Sequence, residues 1–221
     1  SFFLLEYAWW ESGDSVAEEY ALPAALGPAR EDDGDHITAA SFSGEALAEA
    51  DLSRLELRGV TFTACRFMDC DLSGLTLQSC RLERCLFSRC RLSDGDWQEV
   101  QVLGCKGEGC DFRHSRLRGG RWEDCLLRWT NWKESRWDGT ALVRCGLQEA
   151  ALSGLRTKGV ILEECDLTGA ELFRAQLAGV DLSGCTLDGI RLSEHCSELK
   201  GARIGSHQAA VVARILGIDV V

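Results

Sequence analysis

The chain has 221 residues and a formal net charge of −11, with 27% charged and 45% hydrophobic residues. Such a mixture of apolar and charged residues excludes wholesale disorder and indicates a folded protein. The longest apolar run without a charge is far shorter than the ~20 residues that a membrane-spanning helix needs. The length fits one domain or one elongated unit, and we expect no membrane partner.

The first 36 residues differ from the rest of the chain. They hold nine acidic residues and one basic residue, Arg30, which gives −8 and leaves −3 of the total for the remainder. The opening stretch SFFLLEYAWW is aromatic and lacks the basic start and cleavage site of a signal peptide, so we expect it to dock on apolar surface as a cap. We also predict a short helix over Val16–Leu26 and an acidic linker over Glu31–Asp35.

A five-residue repeat follows and dominates the chain. Counting in fives from 42 to 192 gives 31 positions, of which 24 are Leu or Phe, four are Trp and one is Val102. Only Gly107 and Thr157 depart from this rule. A second column, two residues earlier in each pentad, holds small residues and 11 of the 12 cysteines.

A period of five fits neither an α-helix nor a plain strand. It indicates a coil that turns a corner every five residues, with two side chains of each pentad inside and three outside. A four-sided coil of this kind uses 20 residues per turn. Successive turns would then pair as parallel strands about 4.8 Å apart and bury their inner faces by stacking.

This pattern, over about residues 37–204, resembles the pentapeptide repeat family. The resemblance implies an all-β solenoid, a right-handed quadrilateral parallel β-helix, here followed by a short C-terminal α-helix. The predicted organisation is a non-repeat segment and acidic linker over 1–36, the repeat β-helix over 37–197, and a cap and dimerisation helix over 198–221.

Cysteines recur at twenty-residue spacing and are predicted to stack in one column. A metal ladder or redox chain is one interpretation, and a column of small, soft core residues is the other. The second is favoured, because the sequence has no CxxC motif and buried thiols stay protonated and inert. So many unpaired thiols suit a reducing cytoplasm, and Cys196 alone is expected to be accessible. The column comprises Cys65, Cys85, Cys105, Cys125, Cys145, Cys165 and Cys185.

Four tryptophans are predicted to point inward, where smaller partners two residues earlier make room for them. The pairs are Gly95 with Trp97, Gly120 with Trp122, Thr130 with Trp132, and Ser135 with Trp137. Trp129 is predicted to point outward, as a partner contact or a lone exposed ring.

One outward face is predicted to be basic. It either binds an anionic partner or, as the favoured interpretation, is a solvated face that acids from neighbouring columns neutralise. Direct nucleic-acid binding is not expected, because exposed aromatic residues and a basic overall charge are missing. The basic residues are Arg116, Arg136 and Arg156 in one column and Arg118 and Lys158 in a second, which also holds one acid, Asp138. Beside them lies a column of glycines, Gly119, Gly139, Gly159 and Gly179.

The repeat slips by two residues through Ser193–Ser197 and is followed by a predicted helix over His207–Leu216, with Ser206 as its N-cap. Residues 199–221 resemble the C-terminal end of Qnr-type quinolone-resistance proteins and related bacterial pentapeptide proteins, in which this segment forms an antiparallel homodimer. A simple end cap is the alternative. The resemblance implies dimer contacts at Gln208, Val211, Val212, Ile215 and Leu216.

No catalytic or cofactor-binding constellation is present in the sequence: the four histidines are scattered, and Ser197-Glu-Leu-Lys200 lacks its companion motifs. We therefore expect a non-enzyme without a metal or cofactor. The favoured function is a rigid, dimeric scaffold for an unidentified protein partner. The Qnr-type resemblance implies an alternative, in which the rod mimics DNA and binds DNA gyrase or topoisomerase IV. Anion binding on the arginine face is a third hypothesis.

Overall fold

The structure is a computed structural model, and it describes residues 36–220. The chain winds as a four-sided parallel β-solenoid in which one pentad forms each side of the square. The helix predicted over Val16–Leu26 and the linker Glu31–Asp35 lie outside the described residues.

Two faces of the solenoid carry seven strands each, and every strand has three residues. Face A contains, in stacking order, β1 (His36–Thr38), β4 (Glu56–Arg58), β7 (Thr76–Gln78), β10 (Asp96–Gln98), β12 (Arg116–Arg118), β14 (Arg136–Asp138) and β16 (Arg156–Lys158). Face B contains β2 (Ser41–Ser43), β5 (Thr61–Thr63), β8 (Arg81–Glu83), β11 (Gln101–Leu103), β13 (Arg121–Glu123), β15 (Ala141–Val143) and β17 (Ile161–Glu163).

The other two faces are less regular. Face C begins with β3 (Ala46–Ala48), β6 (Arg66–Met68) and β9 (Leu86–Ser88), then continues as single parallel bridges as far as Thr186. Face D consists of single bridges that run from Asp51 to Arg191. Four faces of stacked pentads confirm the predicted quadrilateral solenoid.

The register is twenty residues on every face as far as the last coil. On face A, Arg116 pairs with Arg136 and Arg136 with Arg156. Backbone hydrogen bonds join each coil to the next, as where Arg136 N donates to Ser115 O at 2.9 Å. A column in the sequence is therefore a column in space.

The corners of the square are formed by residues in the left-handed region of backbone conformation. Many of these are not glycine, including His114 at φ 60°, Trp129 at 57° and Glu134 at 57°. This conformation is costly for L-residues, and it persists where the surrounding structure over-determines it. The hydrogen-bonded ladders on both sides of each corner supply that constraint.

The core is a stack of large side chains on its own repeats. Phe112 and Trp132 stack with ring centroids 4.1 Å apart and an interplanar angle of 6°. Trp97 and Trp122 stack at 5.3 Å. Offset stacking of this kind adds to the free energy of burial.

Two of the small residues paired with tryptophans do make room for the ring. A Cβ on Gly95 would lie 2.7 Å from Trp97 Nε1. Thr130 Oγ1 accepts a hydrogen bond from Trp132 Nε1 at 2.9 Å. Gly120 was predicted to make room for Trp122, but its role is different. A Cβ added at Gly120 would lie 2.3 Å from Val100 O, so glycine there permits the close approach of two backbones.

The structure places the seven stacked cysteines in one buried column. Each thiol contacts backbone carbonyl groups, as where Cys145 Sγ donates to Trp122 O at 3.5 Å. The neighbouring thiol of the column, and then burial, raise the pKa of Cys145 and that of Cys165 to about 12. Within residues 36–220, no group of three or more His, Cys, Asp or Glu side chains is placed to hold a metal ion.

The described residues include no helix that is long and apolar enough to cross a membrane.

Stability should fall at alkaline pH because the folded chain holds thiol protons more tightly than the unfolded chain does. An unfolded thiol ionises near pH 8.5, whereas the pKa of Cys145 in the fold is about 12. Stability is therefore full below about pH 8.5 and falls toward pH 12, by about 1.4 kcal/mol per pH unit for each such thiol. Urea midpoints measured under reducing conditions across this range test the expectation. The Cys145→Ala variant should show a shallower fall, and an equal slope would contradict the assignment.

Candidate interaction surfaces

Four basic side chains form the first candidate surface, which we call the basic strip: Arg116, Arg136, Arg156 and Lys158. All four are exposed on face A. The three arginines lie in direct register, about 4.8 Å apart from coil to coil. Three like charges are thus held in a line by the backbone ladder.

In the described chain, acids form ion pairs with some basic residues of face A but not with the four side chains of the strip. Arg118, predicted to belong to the basic face, forms a two-oxygen contact with Asp96 at 2.9 Å and is neutralised by it. Within residues 36–220, the four side chains of the basic strip have no ion pair. Asp138 is the one acid in register beside the strip, between Arg118 and Lys158.

The acids expected to reach across from neighbouring columns point elsewhere. Glu134, on the corner between faces D and A, lies 3.7 Å from Arg174. Glu99, on the corner between faces A and B, accepts a hydrogen bond from Ser79 Oγ at 3.4 Å. Glu134 and Glu99 therefore form no ion pair with the four side chains of the strip, and the favoured interpretation of a face neutralised by flanking acids stays a prediction.

Glycines line one edge of the basic strip. At Gly159 and Gly179, an added Cβ would meet no atom within 4 Å, and at Gly139 it would meet only a backbone nitrogen at 4.0 Å. Other corners carry side chains in the same backbone conformation, so the fold does not require glycine here. The glycines leave bare backbone and give an anionic group open access to the arginines from that side.

The last coil ends with the two-residue slip that the sequence predicts. Asp181 pairs with Arg203, an offset of 22 residues instead of 20. Cys196, partly exposed, adopts a left-handed conformation at the slip, and burial raises the pKa of its thiol. The slip moves the chain from the wall of the solenoid onto its end.

Glu198 anchors this turn, and sequence analysis missed it. Its side chain is 2% exposed and accepts hydrogen bonds from Arg174 N at 2.8 Å and from Ser193 Oγ at 2.8 Å. Burial acts to raise the pKa of Glu198, but these hydrogen bonds prevail and hold it below its usual range. The one available signal was the position of this acid at the phase slip, where the five-residue repeat does not predict whether a side chain points inward or outward.

Gln208 closes the end of the solenoid. Its Nε2 donates to Leu182 O at 2.8 Å and to Cys185 O at 2.6 Å, and its Oε1 accepts from Gly205 N at 2.6 Å. The side chain is 3% exposed, so this residue, predicted as a dimer contact, lies beneath the surface. Ser206 begins a 3-10 turn whose N-cap is Gly205, so the N-cap prediction at Ser206 is wrong.

The C-terminal helix, α1 (Ala209–Ile215), forms the second candidate surface. None of its side chains is buried, although Ile215 packs in part on the core. Val211, Val212 and Ile215 are half-buried, and Leu216, which follows the helix, is 47% exposed. We call these four residues the helix surface. An apolar surface left open on the described part of the chain is typical of a protein contact.

Trp129 lies on the corner between faces C and D, away from both surfaces. Its ring is 56% exposed, and the Arg128 guanidinium lies 4.5 Å from the ring centroid. The outward orientation agrees with the prediction. Within residues 36–220, no other aromatic ring packs against Trp129.

Comparisons with known proteins identify the repeat. The family model for pentapeptide repeats matches in eight copies, over residues 46–84, 65–96 and 158–189. A search of curated proteins finds no match. Among solved structures, full-length QnrB1, a plasmid-mediated fluoroquinolone resistance protein, is 18% identical, with 83% of this chain and 100% of that chain covered and a TM-score of 0.41.

A second solved structure is HetL, a pentapeptide repeat protein involved in heterocyst differentiation regulation from Nostoc sp. strain PCC 7120. It is 17% identical, with 83% of this chain and 97% of that chain covered and a TM-score of 0.33. Likenesses this distant carry no argument about function.

Removing the central charge of the strip should stabilise the protein. Arg136 lies between two arginines, so in a background in which the acids of residues 1–35 are neutralised, Arg136→Gln relieves two repulsive pairs and should raise stability by roughly 0.2–1 kcal/mol, more at low salt. Arg89→Gln is the matched control, because Arg89 contacts both oxygens of Asp69 at 2.6 Å and its loss should destabilise. Thermal unfolding at two salt concentrations measures both changes. Destabilisation by Arg136→Gln would contradict the assignment.

Proposed function

The chain is a pentapeptide-repeat protein, and from that premise we propose that it acts without catalysis, as a rigid scaffold that binds proteins. The observation that carries the proposal is the open helix surface at the end of a rod whose interior is filled. Stacked coils with a packed core transmit position and orientation, but they provide little concave surface for a substrate.

We propose that the first partner is a second copy of the chain, bound through the helix surface. Val211, Val212, Ile215 and Leu216 supply apolar area, and Gln208 fixes the helix onto the last coil from below. The resemblance of residues 199–221 to Qnr-type proteins supports an antiparallel pair. In this arrangement the two rods point away from a central apolar contact.

The non-enzymatic part of the proposal is supported by the cavity inside the first coils. The cavity enclosed in the first coils has about 30 Å³, and its lining, which includes Leu57, Phe62 and Trp97, is apolar. A space of that size holds at most one small group and offers no acid, base or nucleophile. We also propose a cytoplasmic location, because all 12 cysteines are free thiols.

DNA gyrase or topoisomerase IV binding is the alternative, and the C-terminal resemblance alone favours it. A DNA mimic requires an acidic surface. The rod beyond residue 36 carries only −3 in total, and face A presents the basic strip. We therefore place the scaffold proposal ahead of the topoisomerase proposal.

Placing a charge in the helix surface tests self-association. Val212→Asp should give a monomer, because a carboxylate in an apolar contact loses its hydration without a partner. Light scattering measures the mass, and Arg214→Asp, an exposed change on the same helix, is the matched control. An unchanged mass for Val212→Asp, or a wild-type monomer, would sink the dimer proposal.

A supercoiling assay with purified DNA gyrase separates the two functions. The scaffold proposal predicts no effect of this protein on gyrase, with or without a fluoroquinolone. Inhibition or drug protection at micromolar protein would favour the topoisomerase alternative instead. The Val212→Asp variant shows whether any effect depends on the dimer.

A further inference from the structure

Within the part of the chain that the structure describes, the basic strip is a line of unpaired positive charges that an anionic ligand would stabilise. Arg116, Arg136 and Arg156 are held in line by the ladder, and no ion pair within residues 36–220 reaches them. Exposed like charges about 4.8 Å apart repel each other. A negatively charged group that binds along the line reduces the repulsion between all of them at once. The occupant must bring several negative charges and fit against bare backbone.

We propose that the strip binds the acidic N-terminal segment of the same chain, through Glu11, Asp14, Glu18 and Glu19. Charge complementarity supports this occupant: the first 36 residues carry −8 of the total −11, and no base precedes Arg30. The four carboxylates, spread over nine residues, equal in number the four basic side chains of the strip. The proposal concerns the basic strip only, and it stands whether or not the helix surface forms a dimer.

The attachment point brings the segment to the right face. The described chain begins at His36 in β1, which lies on face A itself. Arg116 is four coils farther along this face and Lys158 is six, which corresponds to about 19 Å and about 29 Å. Glu19 lies 17 residues before His36, and a chain of that length reaches about 56 Å when extended.

Reach also separates these acids from the nearer ones. Asp32 precedes His36 by four residues, so its backbone reaches only about 13 Å from His36, far short of Lys158 at about 29 Å. Asp32, Asp33 and Asp35 are therefore too near His36 in the chain to contact Lys158. Covalent attachment gives the more distant acids an effective concentration in the millimolar range, so an external anion must compete with them.

Zero-length crosslinking of the 221-residue chain tests the contact. A carbodiimide joins Lys158 Nζ to a carboxylate in direct contact, and peptide mass spectrometry identifies the pair. We expect crosslinks from Lys158 to the acids at 11–19 and none from Lys106, an exposed lysine on the opposite face C. The crosslinks should be lost in about 1 M salt, where the Debye length is ~3 Å. Equal yields at Lys106 and Lys158 would overturn the proposal.

Two sets of variants identify the partners. Neutralising Glu11, Asp14, Glu18 and Glu19 to Gln or Asn should abolish the Lys158 crosslinks, whereas neutralising Asp32, Asp33 and Asp35 should leave them. A variant with Arg116→Gln, Arg136→Gln and Arg156→Gln retains Lys158 and should lose its crosslinks to the segment. An unchanged yield in that variant would show that the strip does not hold the segment.

Isotope mixing distinguishes contact within a chain from contact between copies. In an equal mixture of light and heavy-nitrogen protein, the proposal predicts crosslinks within one isotope only. Mixed pairs as frequent as pure ones would identify a second copy as the occupant and would overturn the proposal. Thermal unfolding of each variant verifies that the solenoid is intact.

Discussion

The constraint on which the structure depends is that every residue of the solenoid stacks on the residue twenty positions away. A wall three residues wide buries nothing alone, so each coil obtains its core from the coils before and after it. This explains why rings meet rings, as Phe112 meets Trp132, and why thiols meet thiols. It also explains the basic strip, since the register that aligns the core aligns outward charges with the same strictness.

The two candidate surfaces follow from different parts of that constraint. The basic strip lies on the wall, where a repeating register leaves no freedom to move one arginine away from the next. The helix surface lies where the register ends, because a helix cannot continue a twenty-residue coil and must instead rest on it. Glu198 and Gln208 make the change from wall to end, each with a buried side chain bound to backbone groups.

Most of the fold was predictable from the sequence, because residues at a fixed spacing along a solenoid lie in one column on one face. The inward Leu and Phe positions and the buried cysteines follow the five-residue period of the sequence. The phase slip is visible as a break in that period. The burial of Gln208 was not predictable, because it depends on two carbonyl groups of the last coil, and a glutamine in a first helical turn otherwise reads as exposed. The Arg118–Asp96 pair was missed because it is diagonal, at 22 residues, whereas column reading compares residues at 20.

The amide of Gln208 has a consequence for the end of the rod. A stack of parallel coils ends in unpaired carbonyl groups, and such an end is a template for another chain. Here the carbonyl groups of Leu182 and Cys185 are already occupied by a side chain of the same molecule. These two carbonyl groups are therefore unavailable to a strand of another chain, so the side chain of Gln208 protects this end of the rod from edge pairing.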